Sequence, residues 1–228
     1  MKTKIIFVLI FTLTIFPGYA QKAEKREIES FDKIEVFGNI QVILTKGNVG
    51  TLTINTNDVA PSEVITKIED KLLKIKMKSN LFEDVTVKVL VNYDELREIS
   101  SHGAAEIIVK NKMKADKIIA TATSGGRIKL DAHLNAVELK VYQGGHIDIT
   151  GESKIQESYV NTGGVLSATK FECDEVFIKM NTGGNADVFA RKKIDAKVNT
   201  GATLTVYGEA KKEILKTSLG GEIIRWND

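Results

Sequence analysis

Apolar and polar residues alternate with a period of two through the second half of the chain. After successive glycine pairs, the second and fourth positions are apolar and the positions between them are mostly polar. A period of two is typical of β-strands with one buried face. The pattern therefore predicts strands with these residues pointing inward: Ile128, Ile147, Leu166, Ala186, Leu204 and Ile223, followed by Leu130, Ile149, Ala168, Val188 and Val206.

The glycines recur at a nearly even interval. The first glycine of each corner is separated from the next by 22, 19, 19, 20, 18 and 19 residues, at Gly103, Gly125, Gly144, Gly163, Gly183, Gly201 and Gly220. A repeat of this size cannot bury its own apolar face, so successive repeats must stack. The sequence predicts an all-β fold with little helix: a β-solenoid, or β-helix-like stack, of glycine-cornered coils of about 19 residues.

The corners themselves have a recurring composition. Glycine is expected there because the backbone needs a positive φ or because neighbouring coils approach closely. Asn161, Asn181 and Asn199 each precede a corner at the same position. Stacked amides at one position favour a hydrogen-bonded ladder along the solenoid.

The first half follows the same rule less regularly. In the segment FDKIEVFGNIQVIL, apolar pairs stand on both sides of Gly38, which predicts a leading coil. The segments GTLTINT, KLLKIKMK and DVTVKVLV are predicted strands, APSEVITKIED is a predicted short helix, and residues 57–61 are a predicted loop. No linker divides the chain, so residues 21–228 are expected to form one domain, with less regular strands over 21–95 and regular repeats over 96–228.

The N-terminus has the layout of a secretory signal. Lys2 and Lys4 precede an apolar run, which ends at Pro17 and Gly18 before the small residue Ala20. The run is shorter than the ~20 residues of a membrane-spanning helix. We predict a signal peptide over residues 1–20, cleavage after Ala20, and export to the periplasm, the outer surface or the medium. No later segment is predicted to span a membrane.

Charge and cysteine content narrow the function classes. The chain has 32 Lys and Arg against 30 Asp and Glu. This balance does not favour nucleic-acid binding. With Cys173 as the only cysteine, an intramolecular disulfide is excluded, so stability must come from packing. Cys173 itself is predicted to be a small, buried or half-buried residue.

Several of these segments together resemble a known family. The segments FDKIEVFGNIQVILTKG, KLLKIKMK and LREISSHGAAEI, the serial glycine corners and TLTVYGEAK look like the head GIN domain, putative auto-transporter adhesin family of secreted proteins. The likeness covers nearly all of residues 21–228, although Thr-Gly-Gly, Ser-Gly-Gly or Gln-Gly-Gly replaces the family's usual Ser-Gly-Ser-Gly corner. The resemblance implies an exported all-β protein with an adhesive role and no catalytic residues.

Polar residues on the outward face raise the question of catalysis. Lys129, Asp148, Ser167 and Asp187 are predicted to form an outward ladder, with the two aspartates two coils apart, about 9–10 Å at the usual strand spacing. This distance is at the edge of the range of about 6.5–9.5 Å used by inverting glycosidases. A solvated polar face explains the same residues without chemistry. The three histidines lack metal-ligand spacing, and no metal or cofactor is predicted.

Outward aromatic residues are the predicted ligand contacts. Phe189 and Tyr207 share one position on neighbouring coils, and Tyr142 and Tyr159 are outward on adjacent coils. Such pairs are typical of stacking platforms for sugar rings and of protein contact patches. Cross-strand packing is the alternative explanation.

Two classes of function follow from these observations. The first is a non-catalytic binding or structural module that contacts glycans or cell-surface proteins. The second is a carbohydrate-active solenoid enzyme, a lyase or hydrolase, which would need clustered charges across adjacent coils. Because the charges are scattered, the sequence favours the binding module. A solenoid also needs covered ends, so either the C-terminal tail near Trp226 or a second copy, in an end-to-end homodimer, is expected to cover the last coil.

Overall fold

The structure is a computed structural model that describes residues 22–57, 59–78 and 87–226. Apart from a 3₁₀ turn, Pro61–Glu63, its regular elements are strands. The first half of the chain contains β1 (Lys22–Glu27), β2 (Lys33–Phe37), β3 (Ile40–Lys46), β4 (Thr51–Thr56), β5 (Val64–Glu69), β6 (Leu72–Met77), β7 (Val87–Tyr93), β8 (Glu98–His102) and β9 (Glu106–Val109).

Among the described residues, the second half begins with five longer strands and ends with three short ones. They are β10 (Met113–Thr123), β11 (Arg127–Val141), β12 (His146–Asn161), β13 (Val165–Asn181), β14 (Asn185–Asn199), β15 (Thr203–Tyr207), β16 (Lys212–Ser218) and β17 (Glu222–Arg225). Strands β10 to β14 pair successively in parallel, and β15 and β16 both pair with β14. The predicted all-β solenoid is confirmed.

The inward positions form one continuous core. Every residue that the sequence analysis placed inward after a corner is buried, except Ile223 in the last coil, which is half-buried. The inward parity changes within the long strands β11, β12 and β13, and in β14 the alternation is interrupted at the exposed residues Arg191 and Lys192, so each strand bends as it passes around the coil. Cys173 is buried, as predicted, and donates a hydrogen bond to Gln156 Oε1 at 3.3 Å. Burial raises the pKa of the Cys173 thiol.

Each regular corner is a tight turn, and where the corner has two glycines they have different functions; in the corner that begins at Asn199, Ala202 replaces the second glycine. Thr162 and Gly163 both have positive φ, 51° and 69°, and the Gly164 N–H donates to the Asn161 carbonyl at 3.0 Å. This is the geometry of a type I′ turn. The second glycine is needed for close approach: at Gly145, an added Cβ would lie 2.2 Å from the carbonyl oxygen of Ala122 in the preceding coil.

The predicted amide ladder is confirmed in part: Asn161 is the cross-strand partner of Asn181, but the side-chain hydrogen bonds among the described residues run from Asn181 through Asn199 to Ser218. Asn199 Nδ2 donates to Asn181 Oδ1 at 3.0 Å, and Ser218 Oγ donates to Asn199 Oδ1 at 2.6 Å. These side chains link three successive coils outside the backbone ladder. They also satisfy polar groups where the chain turns.

The predicted leading coil is also present, and it lies inside the stack. Strand β2 pairs in parallel with β6 on one side and β8 on the other, and β3 pairs in the same way with β7 and β9. The coil of β2 and β3 therefore contacts the coil of β8 and β9 directly. The intervening segment, in its described residues 47–57, 59–78 and 87–97, returns across its other side.

That segment closes the N-terminal end of the solenoid. Strand β4 pairs antiparallel with β7, β1 pairs antiparallel with β4, and β5 pairs antiparallel with β6. The predicted strands GTLTINT and KLLKIKMK are confirmed, and DVTVKVLV is confirmed from Val87 onward. The predicted helix over APSEVITKIED is wrong. After the 3₁₀ turn, its β-branched residues Val64, Ile65 and Thr66 form β5, where they pair with the apolar strand β6.

The C-terminal end closes differently. Within the described residues, β16 and β17 pair only with the preceding coil. Their register places Glu213 and Arg225 inward, next to Ile194 and Val206 in the coil below, and the two side chains form an ion pair. An inward charged pair is a known means of ending a sheet.

The predicted signal peptide lies outside the described residues. In the part of the chain that the structure does describe, no helix has the length and apolar character needed to cross a membrane.

Candidate functional site

Three aromatic rings line up at the C-terminal end of the stack. Phe189 and Tyr207 are direct cross-strand partners on β14 and β15, as their shared position predicted. Trp226 follows β17, and its ring centroid lies 5.9 Å from that of Tyr207, with the rings tilted by 32°. We call Phe189, Tyr207 and Trp226 the aromatic strip.

The aromatic strip borders an open groove of about 450 Å³. Polar groups from Glu209 and Arg225 line the same groove. Trp226 is 54% exposed, while the other two rings are half-buried. Gly208 makes room for the strip, because a Cβ there would lie 2.7 Å from the Phe189 ring. The groove therefore combines ring faces with hydrogen-bonding groups beside them.

Sequence reasoning found two of the three members of the strip. Trp226 occupies the same position after its glycine pair as Phe189 and Tyr207 do after theirs. It was treated only as the end of the last coil, although the repeat alignment contained the signal. Ring faces flanked by a carboxylate and a guanidinium suit contact with a sugar ring or with an apolar side chain of a partner.

The second predicted pair, Tyr142 and Tyr159, is less well aligned than Phe189 and Tyr207. Val141 is the cross-strand partner of Val160, so the two tyrosines are offset diagonally rather than stacked. Both are half-buried, and burial raises the pKa of the Tyr142 hydroxyl. Lys140 lies near both rings and bonds to Glu138 at 2.8 Å, which raises the pKa of the lysine.

Tyr159 faces a second groove, on the strand segments that precede the corners. This groove, of about 240 Å³, is lined by Glu157, Tyr159, Phe177, Lys179, Asp195 and Lys197, together with Ser158 and Ile178. The Lys179 ammonium lies 5.7 Å from the centroid of the Tyr159 ring, and the Lys193 ammonium lies 4.3 Å from that of Phe177. Both distances are within the range of cation–π contacts.

Two lysines of this groove, Lys179 and Lys197, belong to a row of three lysines that continues onto the last coil. Lys179 is the cross-strand partner of Lys197, and Lys197 is the partner of Lys216. All three are exposed. We call them the lysine ladder. Sequence reasoning missed it, although each of the three stands four residues before the first glycine of its corner.

The outward row predicted to hold two aspartates is confirmed in its register. Lys129 pairs with Asp148, Asp148 with Ser167, and Ser167 with Asp187 on successive strands. The Lys129 ammonium lies 3.5 Å from an Asp148 carboxylate oxygen. Asp148 thus has a cationic partner on an open face, which is the arrangement of a solvated ladder.

The histidines lie on separate parts of the surface. The His102 ring stacks on Phe37 with centroids 4.6 Å apart, and burial lowers the pKa of this histidine against the opposing effect of nearby Glu35. His133 lies 2.9 Å from Glu152, and His146 lies 3.4 Å from Ser167. Among the described residues, no group of three or more His, Cys, Asp or Glu side chains is arranged to hold a metal ion.

Two solved structures have the same architecture. A crystal structure of a putative adhesin from Bacteroides fragilis has a TM-score of 0.80 at 16% identity, covering 92% of this chain and 98% of that one. A putative lipid binding protein from Parabacteroides distasonis has a TM-score of 0.70 at 17% identity, with the same coverage. At 16% and 17% identity, these structural similarities show that the chain shares the fold of the two proteins.

The sequence comparisons give the family. No curated protein matches the chain. The family described as "Putative auto-transporter adhesin, head GIN domain" matches residues 30–210, which span the leading coil, the N-terminal closure and the regular stack up to β15. The chain therefore belongs to the head GIN domain family of putative auto-transporter adhesins.

Proposed function

We propose that the protein is an exported, non-catalytic binding module that contacts glycans through the aromatic strip. The observation that carries the proposal is the alignment of Phe189, Tyr207 and Trp226 on successive coils beside an open groove. Aromatic faces bury large apolar area at fixed geometry, and the nearby Arg225 and Glu209 supply hydrogen bonds for hydroxyl groups. Family membership implies a cell-surface or exported protein.

The finer details of location and assembly are also proposals. The signal layout supports export across the inner membrane, to the periplasm, the outer surface or the medium. An end-to-end homodimer would use the outer edges of β16 and β17, which have no strand partner among the described residues. Multi-angle light scattering tests this assembly, since a mass of one chain excludes it.

The aromatic strip is the first site to test. The chain from residue 21 is applied to an array of bacterial, plant and mucin-type glycans, and affinities are measured for the glycans that bind. Trp226→Ala is expected to weaken binding by about fivefold, because a stacked ring contributes roughly 1 kcal/mol. Tyr142→Ala is the matched control, since it removes an aromatic ring from the offset pair and leaves the strip intact.

Three outcomes separate the alternatives. Loss of binding in Trp226→Ala alone supports the strip, whereas loss in Tyr142→Ala or Tyr159→Ala alone moves the contact to the offset pair. The same samples are assayed for new reducing ends and for unsaturated uronate. Formation of either product would contradict the non-catalytic proposal and favour the carbohydrate-active enzyme, and the absence of any glycan binding would favour a protein partner.

A further inference from the structure

We infer that the lysine ladder is a second binding site, for a linear acidic polysaccharide such as a polyuronate. Lys179, Lys197 and Lys216 lie on three consecutive coils in direct register. Neighbouring strands lie about 4.8 Å apart, so three ammonium-bearing side chains start from a row only about 10 Å long. Like charges directly opposite each other destabilise a sheet, and a polyanion lying along the row would offset that repulsion.

Other outward rows are neutralised within the protein. Arg191 bonds to Glu172 and Lys192 bonds to Asp174 on the adjacent coil, and Lys129 bonds to Asp148 in the same way. The three lysines of the ladder form no ion pair within 4 Å in the part of the chain that the structure describes; the contact of Lys179 is with the Tyr159 ring. The ladder is therefore a local excess of positive charge on a chain with nearly balanced charge.

The neighbouring rows suit a carbohydrate. On the corner side, the ladder is followed by the amide ladder of Asn181 and Asn199 with Ser218, which offers donors and acceptors for hydroxyl groups. On the other side, the ring of Phe177 lines the groove, and Tyr159, the cross-strand partner of Lys179, continues the row onto the preceding coil. Both rings provide apolar faces for sugar rings. A linear chain along the solenoid axis would place successive carboxylates next to successive lysines.

Two carboxylates restrict the position of the ligand. Glu157 and Asp195 line the same groove and would repel a polyanion placed over them. The charged groups of the ligand are therefore expected over the lysine ladder and the amide ladder, with only ring faces directed toward Tyr159. This site lies on the strand segments before the corners, whereas the aromatic strip lies after them, so the inference does not rest on the proposed function of the strip.

The test compares two triple variants of equal net charge. Lys179→Gln with Lys197→Gln and Lys216→Gln removes the ladder. Lys110→Gln with Lys114→Gln and Lys170→Gln removes three exposed lysines elsewhere on the stack. Binding of the chain from residue 21 to polygalacturonate is measured by calorimetry across a range of salt concentrations, with neutral dextran as the uncharged polymer.

The affinity of the ladder variant for polygalacturonate is expected to fall about tenfold, because three exposed ion pairs with the ligand are lost. Its affinity should also depend less on salt concentration. The control variant is expected to stay within about twofold of the wild type.

Equal losses in both variants would overturn the site, since net charge alone would then explain binding. Failure of the wild type to bind polygalacturonate, or preferential binding to vesicles with anionic headgroups, would overturn the ligand class. Trp226→Ala should leave polygalacturonate binding unchanged.

Discussion

The two ends of the solenoid are closed by different means. At the N-terminal end, antiparallel strands cover the first coil and bury apolar residues such as Leu52 and Ile54 completely. At the C-terminal end, the chain stops with an inward ion pair between Glu213 and Arg225, and large apolar residues stay exposed: Leu215, Leu219, Ile224 and Trp226. The N-terminal end is thus covered by its own chain, whereas the C-terminal end leaves aromatic and basic side chains such as Trp226 and Lys216 exposed, and it is there that we propose binding.

The largest expected difference between the two ends, in the free energy of unfolding, comes from truncating one apolar residue at each end. Ile54→Ala opens a cavity in a fully buried site and should lower the free energy of unfolding by about 3 to 4 kcal/mol. Leu215 is 37% exposed, and Leu215→Ala should cost less than about 1 kcal/mol. Urea unfolding followed by circular dichroism measures both values. Similar losses at the two ends would contradict the comparison.

A smaller difference in stability between the middle and the end of the stack is expected when the second glycine of a corner is replaced by alanine. A Cβ at Gly145 would lie 2.2 Å from Ala122 O, and one at Gly221 would lie 2.1 Å from Val198 O. The clash is the same, but Gly145 has coils on both sides and Gly221 lies in the last coil. Gly145→Ala should therefore cost about 2 to 3 kcal/mol, and Gly221→Ala should cost less because β16 and β17 can move outward. Thermal unfolding of the two variants gives the comparison, and an equal or greater loss for Gly221→Ala would show that the last coil is as constrained as the middle of the stack.

The repeated part of the fold could be predicted from sequence because one physical rule acts on every coil. Inward alternation and glycine corners identified the solenoid, the leading coil around Gly38 and the register of Phe189 with Tyr207. The same alignment contained Trp226 and the lysine ladder, which stand at equivalent positions of their coils. The alternation that predicts the core does not identify them, because outward side chains come together only through the register between neighbouring coils.

The N-terminal closure could not be predicted in the same way. It occurs once, so no repeat reveals its pairing, and its antiparallel strands join segments far apart in the chain, such as β1 with β4. The segment APSEVITKIED contains Glu63 and Lys67 at a helical spacing, but Val64, Ile65 and Thr66 favour a strand once β6 provides an edge. The pairing of β5 with β6 therefore determines that this segment is a strand and not a helix.

Native-state hydrogen exchange measures the difference between the two ends most directly. The amides of β4 and β7 should exchange nearly as slowly as those of β11 to β13, because the N-terminal closure unfolds only with the stack. The amides of β16 and β17 should exchange fastest among the paired strands, through local opening of the last coil. Exchange in β4 and β7 as fast as in β16 and β17 would contradict the assignment of stability to one end and binding to the other.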